Sequence, residues 1–288
     1  MPEGLASVRR IHPFHSTSSM TANEGTFLEL PEPFIGCCGW AGSQAQYFAT
    51  FPAIEIQSTF YAPPAPKVAQ RWRATAPDSF IFCIKARQLI THPSSSPTYR
   101  RLRQPLSPEQ RNRVGGFQDT DEIWSAWQVT REIADAVQAA VVLFQCPASF
   151  RATAENIRNV RKFFQRLGKL PFCLAWEPRG PWPPEVIKDL CTELELIHCV
   201  DPFINCSVGG PIYWRLHGKG SYSYRYTPSD LELLRKMYLN DKHGSRAYIM
   251  FNNVSMKEDA LQFARQLGGA EPQEKLHRDA RSFPQVGL

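Results

Sequence analysis

The chain has 288 residues, of which 43% are apolar, 12% aromatic and 21% charged, a globular balance that excludes disordered and collagen-like chains. Its formal charge of +6, from 33 Lys and Arg against 27 Asp and Glu, is modest, so where the positive charge lies matters more than its total. The longest apolar run, Ala139 to Phe144, falls far short of the roughly 18 residues of a membrane span. No apolar stretch follows Arg9 and Arg10 as a secretory signal would require. The eight cysteines show no CxxC spacing, which reads as reduced thiols of a cytoplasmic protein and argues against a Cys-bound structural zinc.

Residues 1–32 mix Ser, Thr, His and Pro without period and read as a flexible extension, with Met20 as an alternative start. From Phe34 short apolar runs alternate with amphipathic stretches, the pattern of repeated β/α units. The predicted strands are Phe34–Cys38, Ala53–Gln57, Phe80–Lys85, Ala140–Gln145, Phe172–Trp176, Leu196–Val200, Ile212–Leu216 and Ala247–Phe251. Pro66 opens a helix that carries Val68 and Trp72 on one face and stops before Pro77. Ile123, Trp127, Thr130, Ala134 and Val137 recur at helical spacing behind Asp119 and Glu122, which stand three apart as a cap and its partner would. Thr153 and Gly168 bracket the stripe Ile157, Val160, Phe164 and Leu167. Thr227 to Asp230 and Ser255 to Glu258 look like two further capping starts.

Eight strands, most of them followed by a helix, predict a single (β/α)₈ TIM-type barrel over residues 33–267, with a loose tail at 268–288. Pro202, Gly209, Gly210 and Pro211 leave little room between strands six and seven, so the sixth helix is expected to be short or missing. A doubly wound sheet is the alternative, but no glycine fingerprint follows the first strand.

Alternate residues of a barrel strand face the helices and the lumen. If Ile54 and Ile56 face the helices, Glu55 and Gln57 point inward; the same alternation sends Lys85, Gln145, Glu177, Arg215 and His217 toward the lumen or its C-terminal rim. Buried ion pairs would account for one or two of these. Polar residues from five strands at the catalytic end of a barrel point instead to a ligand site. Glu177 and His217 suit general acid/base work. Lys85, Arg179 and Arg215 suit a phosphate or carboxylate, and Lys85 could alternatively act as a Schiff-base nucleophile. No cofactor is predicted; the open alternative is a divalent metal gathered by Glu177, Asp201, His92 and His217. Trp40, Phe60, Tyr61, Trp182, Tyr222, Tyr224 and Tyr226 could wall the rim for a sugar ring or a base. The insert 97–118 holds five arginines against the single Glu109, a net +4 that could act as an anion-gathering lid or as a solvated loop.

At this point the strand ends resemble the YecE-like family, also called the domain of unknown function 72 family. The similarity rests on Ile35-Gly36 with Gly39-Trp40, Glu55 to Tyr61, Lys85-Ala86 with Ile90-Thr91-His92, Phe144-Gln145 with Pro147 and Ser149-Phe150, Glu177 with Arg179, Arg215 to Gly218, and Phe251-Asn252-Asn253. Thr91 to Pro97 and Ala175 to Arg179 resemble its archaeal-looking branch. The resemblance implies the barrel and adds Asn252 and Asn253 to the substrate-binding set of Gln57, Tyr61, His92, Gln145, Arg179, Asp201, Arg215 and Tyr226. Many relatives carry His where this chain has Gly180, and Ala148 replaces a frequent second Pro. The family supplies no reaction. The leading expectation is therefore hydrolysis or isomerisation of a small anionic, carbohydrate-like substrate, with Glu177, His217, Glu55 and Lys85 as the catalytic set. The alternatives are a metal-dependent phosphodiesterase or nuclease, with nucleic acid as partner, and a non-catalytic metabolite binder. No membrane partner is expected, and oligomeric state is left open.

Overall fold

Runs of four or five residues rich in Val, Ile and Phe form strands because branched and aromatic side chains pack well on both faces of a sheet that is covered on both sides. The computed structural model describes residues 32–241 and 246–268. The predicted extension up to residue 31 and the tail beyond residue 268 lie outside the described residues. The strands are β1 (Phe34–Cys37), β2 (Ala53–Ile56), β3 (Ile81–Lys85), β4 (Val141–Gln145), β5 (Cys173–Glu177), β6 (Leu196–Val200), β7 (Ile212–Leu216) and β8 (Ala247–Phe251). All are parallel and close in chain order, with β8 returning to β1.

Helices Gln44–Thr50, Pro66–Thr75, Asp121–Val137, Ala154–Leu167 and Pro184–Glu193 follow the first five strands, and Pro228–Asn240 and Met256–Gln266 follow β7 and β8. Among the described residues none is long and apolar enough to cross a membrane. Between β6 and β7 the chain makes only turns and bends, so the sixth helix is absent, as the prolines and glycines there predicted.

Two predicted caps are corrected. Thr120, not Asp119, caps Asp121–Val137 by accepting from Ile123 N, while Asp119 accepts from the Trp124 indole and pairs with Arg166. Ser255 flanks the last helix without a side-chain capping bond. Thr153 and Thr227 cap as expected, the latter in a reciprocal box with Asp230.

Strand alternation sorts the interior into two layers. Ile54, Ile56, Ile84, Val142, Phe144 and Trp176 pack under the helices. Ala53, Cys83, Val141, Leu143, Ala175, Ile197, Cys199, Tyr213 and Met250 fill the lumen. All eight cysteines are free, and six are buried as small apolar side chains.

Candidate active site

Two residues beyond the apolar lumen layer, the same strand faces carry charge. Arg215 on β7 reaches across the barrel to β2, where Nε and Nη2 each donate to one Glu55 oxygen at 3.0 Å, and its Nη1 donates to Glu177 Oε2 on β5 at 2.6 Å. The Tyr213 hydroxyl adds a fourth bond, to Glu55 Oε2 at 2.9 Å. A bidentate guanidinium between two carboxylates is the arrangement that can offset the desolvation of all three. Burial disfavours the Arg215 charge, but Glu55 and Glu177 outweigh it and hold the guanidinium well above its usual range.

Toward the mouth this chain of charges opens. Side-chain exposure rises from 1% at Arg215 and 6% at Glu177 to 16% at His217 and 46% at Arg179. The other Glu177 oxygen, Oε1, faces Arg179 Nε at 3.6 Å and His217 Nε2 at 3.7 Å. Burial pushes the Glu177 carboxyl up, yet Arg215, with Arg179 and Lys85 nearby, prevails and brings it below its ordinary value, so it is a carboxylate at neutral pH. Arg215 Nη1 also approaches His217 Nε2 at 3.2 Å. A guanidinium can only donate. Nε2 is therefore the acceptor, and the ring proton belongs on Nδ1, which faces Asp201 Oδ2 at 3.5 Å. That carboxylate is itself fixed by the backbone amides of His217 and Phe203. Asp201 thus positions the imidazole rather than lining the pocket directly.

The remaining predicted residues divide between mouth and scaffold. Gln57 Nε2 donates to Asn252 Oδ1 at 2.7 Å, joining the ends of β2 and β8, and Gln145 lies beside Glu177 in the β4–β5 register. Lys85 Nζ sits 3.7 Å above the Phe60 ring. His92 is buried edge-on to Phe60 with Nδ1 on the Thr91 hydroxyl, and burial, Lys85 and Arg179 push its pKa down to about 3. Tyr226 and Asn253 are turned into the scaffold: the Tyr226 hydroxyl accepts from Gly218 N, and Asn253 Nδ2 donates to Tyr224 O and Asp259. Trp40 packs on Tyr47, Phe48 and Trp72, and the Trp182 indole donates to Phe150 O, so neither walls the rim. The alternation rule that found Arg215 also selects Tyr213, two residues earlier on the same strand, which the sequence reading did not single out.

Among the described residues no three His, Cys, Asp or Glu side chains are grouped to hold a metal ion. One Glu177 oxygen is committed to Arg215, and Asp201 to His217 and the backbone.

The basic insert is a seated loop. Val114 and Phe117 are buried in the core, and Gly115 N and Phe117 N bond to Leu89 O and Ile90 O. Gly115 has φ +83°, and a Cβ there would lie 2.5 Å from the His92 carbonyl, so only glycine fits. Arg113 is paired with Glu122, whereas Arg101 lies over the Tyr61 ring at 4.8 Å, at the mouth. Gly180 is equally constrained, because a Cβ would meet Phe150 O at 2.1 Å; a histidine at this position requires a different loop.

The family model described as "Protein of unknown function DUF72" matches residues 34–285. The UPF0759 protein YunF of Bacillus subtilis (strain 168) is 23% identical over 268 residues, covering 77% of this chain and 89% of that one. Two crystal structures of DUF72 family proteins superpose on most of the chain. The one from Enterococcus faecalis V583 has a TM-score of 0.64 at 17% identity, covering 89% of this chain and all of that one. The one from Thermotoga maritima MSB8 has a TM-score of 0.60 at 16% identity, covering 82% and all of that chain.

Proposed function

We propose that this chain, which belongs to the DUF72 family, is an enzyme that moves a proton on a small anionic, carbohydrate-like substrate at the C-terminal mouth, isomerising or hydrolysing it. The observation that carries the reading is the divided duty of Glu177. One oxygen is anchored by buried Arg215, and the other is turned toward the half-exposed Arg179 and His217. A carboxylate held ionised in this way is a base whose position is set before substrate arrives. His217, with its ring proton facing Asp201, accepts from Arg215 Nη1 at Nε2 at rest, takes a proton from the substrate on that nitrogen as this contact gives way, and returns it as an acid. Arg179 offers a planar fork to a phosphate or carboxylate, and Gln145 with the Gln57–Asn252 pair supplies donors and acceptors for hydroxyl groups.

The test is a thermal-shift screen of sugar phosphates and aldonates, followed by turnover assays on the compounds that bind. Glu177→Gln and His217→Ala should keep the fold and each lower turnover by about 10²–10⁴-fold. Retained turnover in both variants would overturn the acid/base assignment, and binding without turnover of any compound would favour a metabolite sensor. A second reading, nucleic-acid binding, draws on Arg101 at the mouth and on Arg100, Arg103 and Arg111, which have no carboxylate partner among the described residues. It predicts single-strand binding that weakens steeply with salt.

A further inference from the structure

We propose that Lys85 is a nucleophilic amine of this site and forms a Schiff base with the carbonyl group of a small anionic aldehyde or ketone. The inference rests on the anionic-substrate reading above and narrows it to carbonyl compounds.

Lys85 ends β3 on the lumen face and is 5% exposed. Its backbone carbonyl accepts from the Thr59 hydroxyl at 2.6 Å, which fastens the short turn carrying Phe60 beneath the amine. Nζ lies 3.7 Å above that ring, and among the described residues it has no carboxylate within ion-pair distance. An aromatic face attracts an ammonium but offers no hydrogen-bond donor that would tie up a free amine's lone pair.

The charges facing it are already balanced. Glu55 from β2 and Glu177 from β5 are bound by Arg215 from β7, and Arg179 stands at the open side of Glu177. Two carboxylates and two guanidinium groups cancel, so a third cation would be an uncompensated buried charge. The other titratable neighbours bring no negative charge: burial raises the Cys38 thiol, just past the end of β1, well above its usual range, and His92 is neutral. Burial and Arg215 together push Lys85 down to about 7 against the pull of Glu177 and Glu55. About half the amine is then free at pH 7, against roughly one part in three thousand for an ordinary lysine.

The step balances within the site. The Nζ lone pair attacks the carbonyl carbon, a C–N bond forms, and the carbonyl electron pair moves to oxygen, which takes a proton. The nitrogen loses a proton to the neighbouring base. The hydroxyl, protonated in turn, departs as water as the nitrogen lone pair closes the C=N bond, so that amine, carbonyl and one proton give iminium and water. The iminium acidifies the adjacent C–H, and Glu177 and His217 are placed to remove and return that proton.

The experiment incubates the full chain at pH 7 with pyridoxal 5′-phosphate, an aldehyde that carries its own phosphate, and with the smaller glycolaldehyde phosphate. Sodium cyanoborohydride then reduces any C=N bond to a secondary amine for intact-mass and peptide analysis. Lys85 should be modified at least about tenfold faster than any other lysine, with inorganic phosphate slowing the reaction and the rate reaching half its maximum near pH 7. Lys85→Met, which keeps the length and removes the amine, should melt cooperatively and lose the adduct. Surface labelling with Lys85 untouched by both probes would overturn the proposal. If the probes still raise the melting temperature in that case, the anion-site reading survives without the Schiff base; if they do not, both fail.

Discussion

Two layers of one lumen, separated by a single step of the strand alternation, are built from opposite chemistry. In the lower layer Ala53, Cys83, Leu143, Ala175 and Tyr213 meet side chain to side chain. Two residues further along the same strands stand Glu55, Lys85, Gln145, Glu177 and Arg215. Both layers are buried, so burial does not distinguish them. The lower layer gains stability from removing apolar surface from water and from close packing. The upper layer carries the desolvation of three charged groups and is held by directional bonds through Arg215. A single barrel thus assigns stability to one end of its lumen and a costly, ordered arrangement to the other, as expected where ligands enter at the C-terminal face.

The sharpest way to break this comparison is to remove the cation from the upper layer. Arg215→Met leaves Glu55 buried without its guanidinium and Glu177 with Arg179 at 3.6 Å as its remaining close cation, and equilibrium urea unfolding should show a loss of about 3–5 kcal/mol. A loss under about 1 kcal/mol would mean that the carboxylates are held by something other than the guanidinium. Next in size is Leu143→Ala in the lower layer, which should cost roughly 2–4 kcal/mol through lost burial and a cavity. It should leave the ligand-induced shift in melting temperature unchanged, because the altered side chain lies a full layer below Glu177. If binding fell together with stability, the two layers would not be separable.

How much of this was legible in the sequence follows the same division. Short apolar runs located all eight strands to within one residue, and strand alternation, a local period of two, sorted their faces. It also sent Glu55, Lys85, Glu177 and Arg215 to one end of the lumen. The missing sixth helix was readable because Pro and Gly oppose helix locally. Loops have no period. That is why Asp201, Tyr226 and Asn253 read as pocket residues although they fix His217, Gly218 and the Asn253–Asp259 junction. The neighbouring positions Asp119 and Thr120 both carry capping side chains, and only backbone geometry decides between them. The insert looked like a free charged loop because its anchors, Val114 and Phe117, are isolated apolar residues whose partners lie on other elements.

The smallest effect tests the border between the layers and the solvent, at His92. Its imidazole is buried against Phe60 and kept neutral by burial and by the nearby Lys85 and Arg179, with a pKa pushed down to about 3 from an unfolded value of 6.5. Between those values the unfolded chain binds one proton that the folded chain refuses, so stability falls as pH falls through this window and is fully present above pH 6.5. The loss should be about 1.4 kcal/mol per pH unit once the unfolded histidine is mostly protonated. His92→Gln keeps a polar side chain that does not titrate. Urea unfolding at pH 7.0, 5.5 and 4.5 should therefore show a shallower decline in the variant than in the wild type, by close to one proton's slope. Parallel declines would place the His92 ring in contact with water in the folded protein, and the sealed floor of the site beneath Lys85 would have to be redrawn.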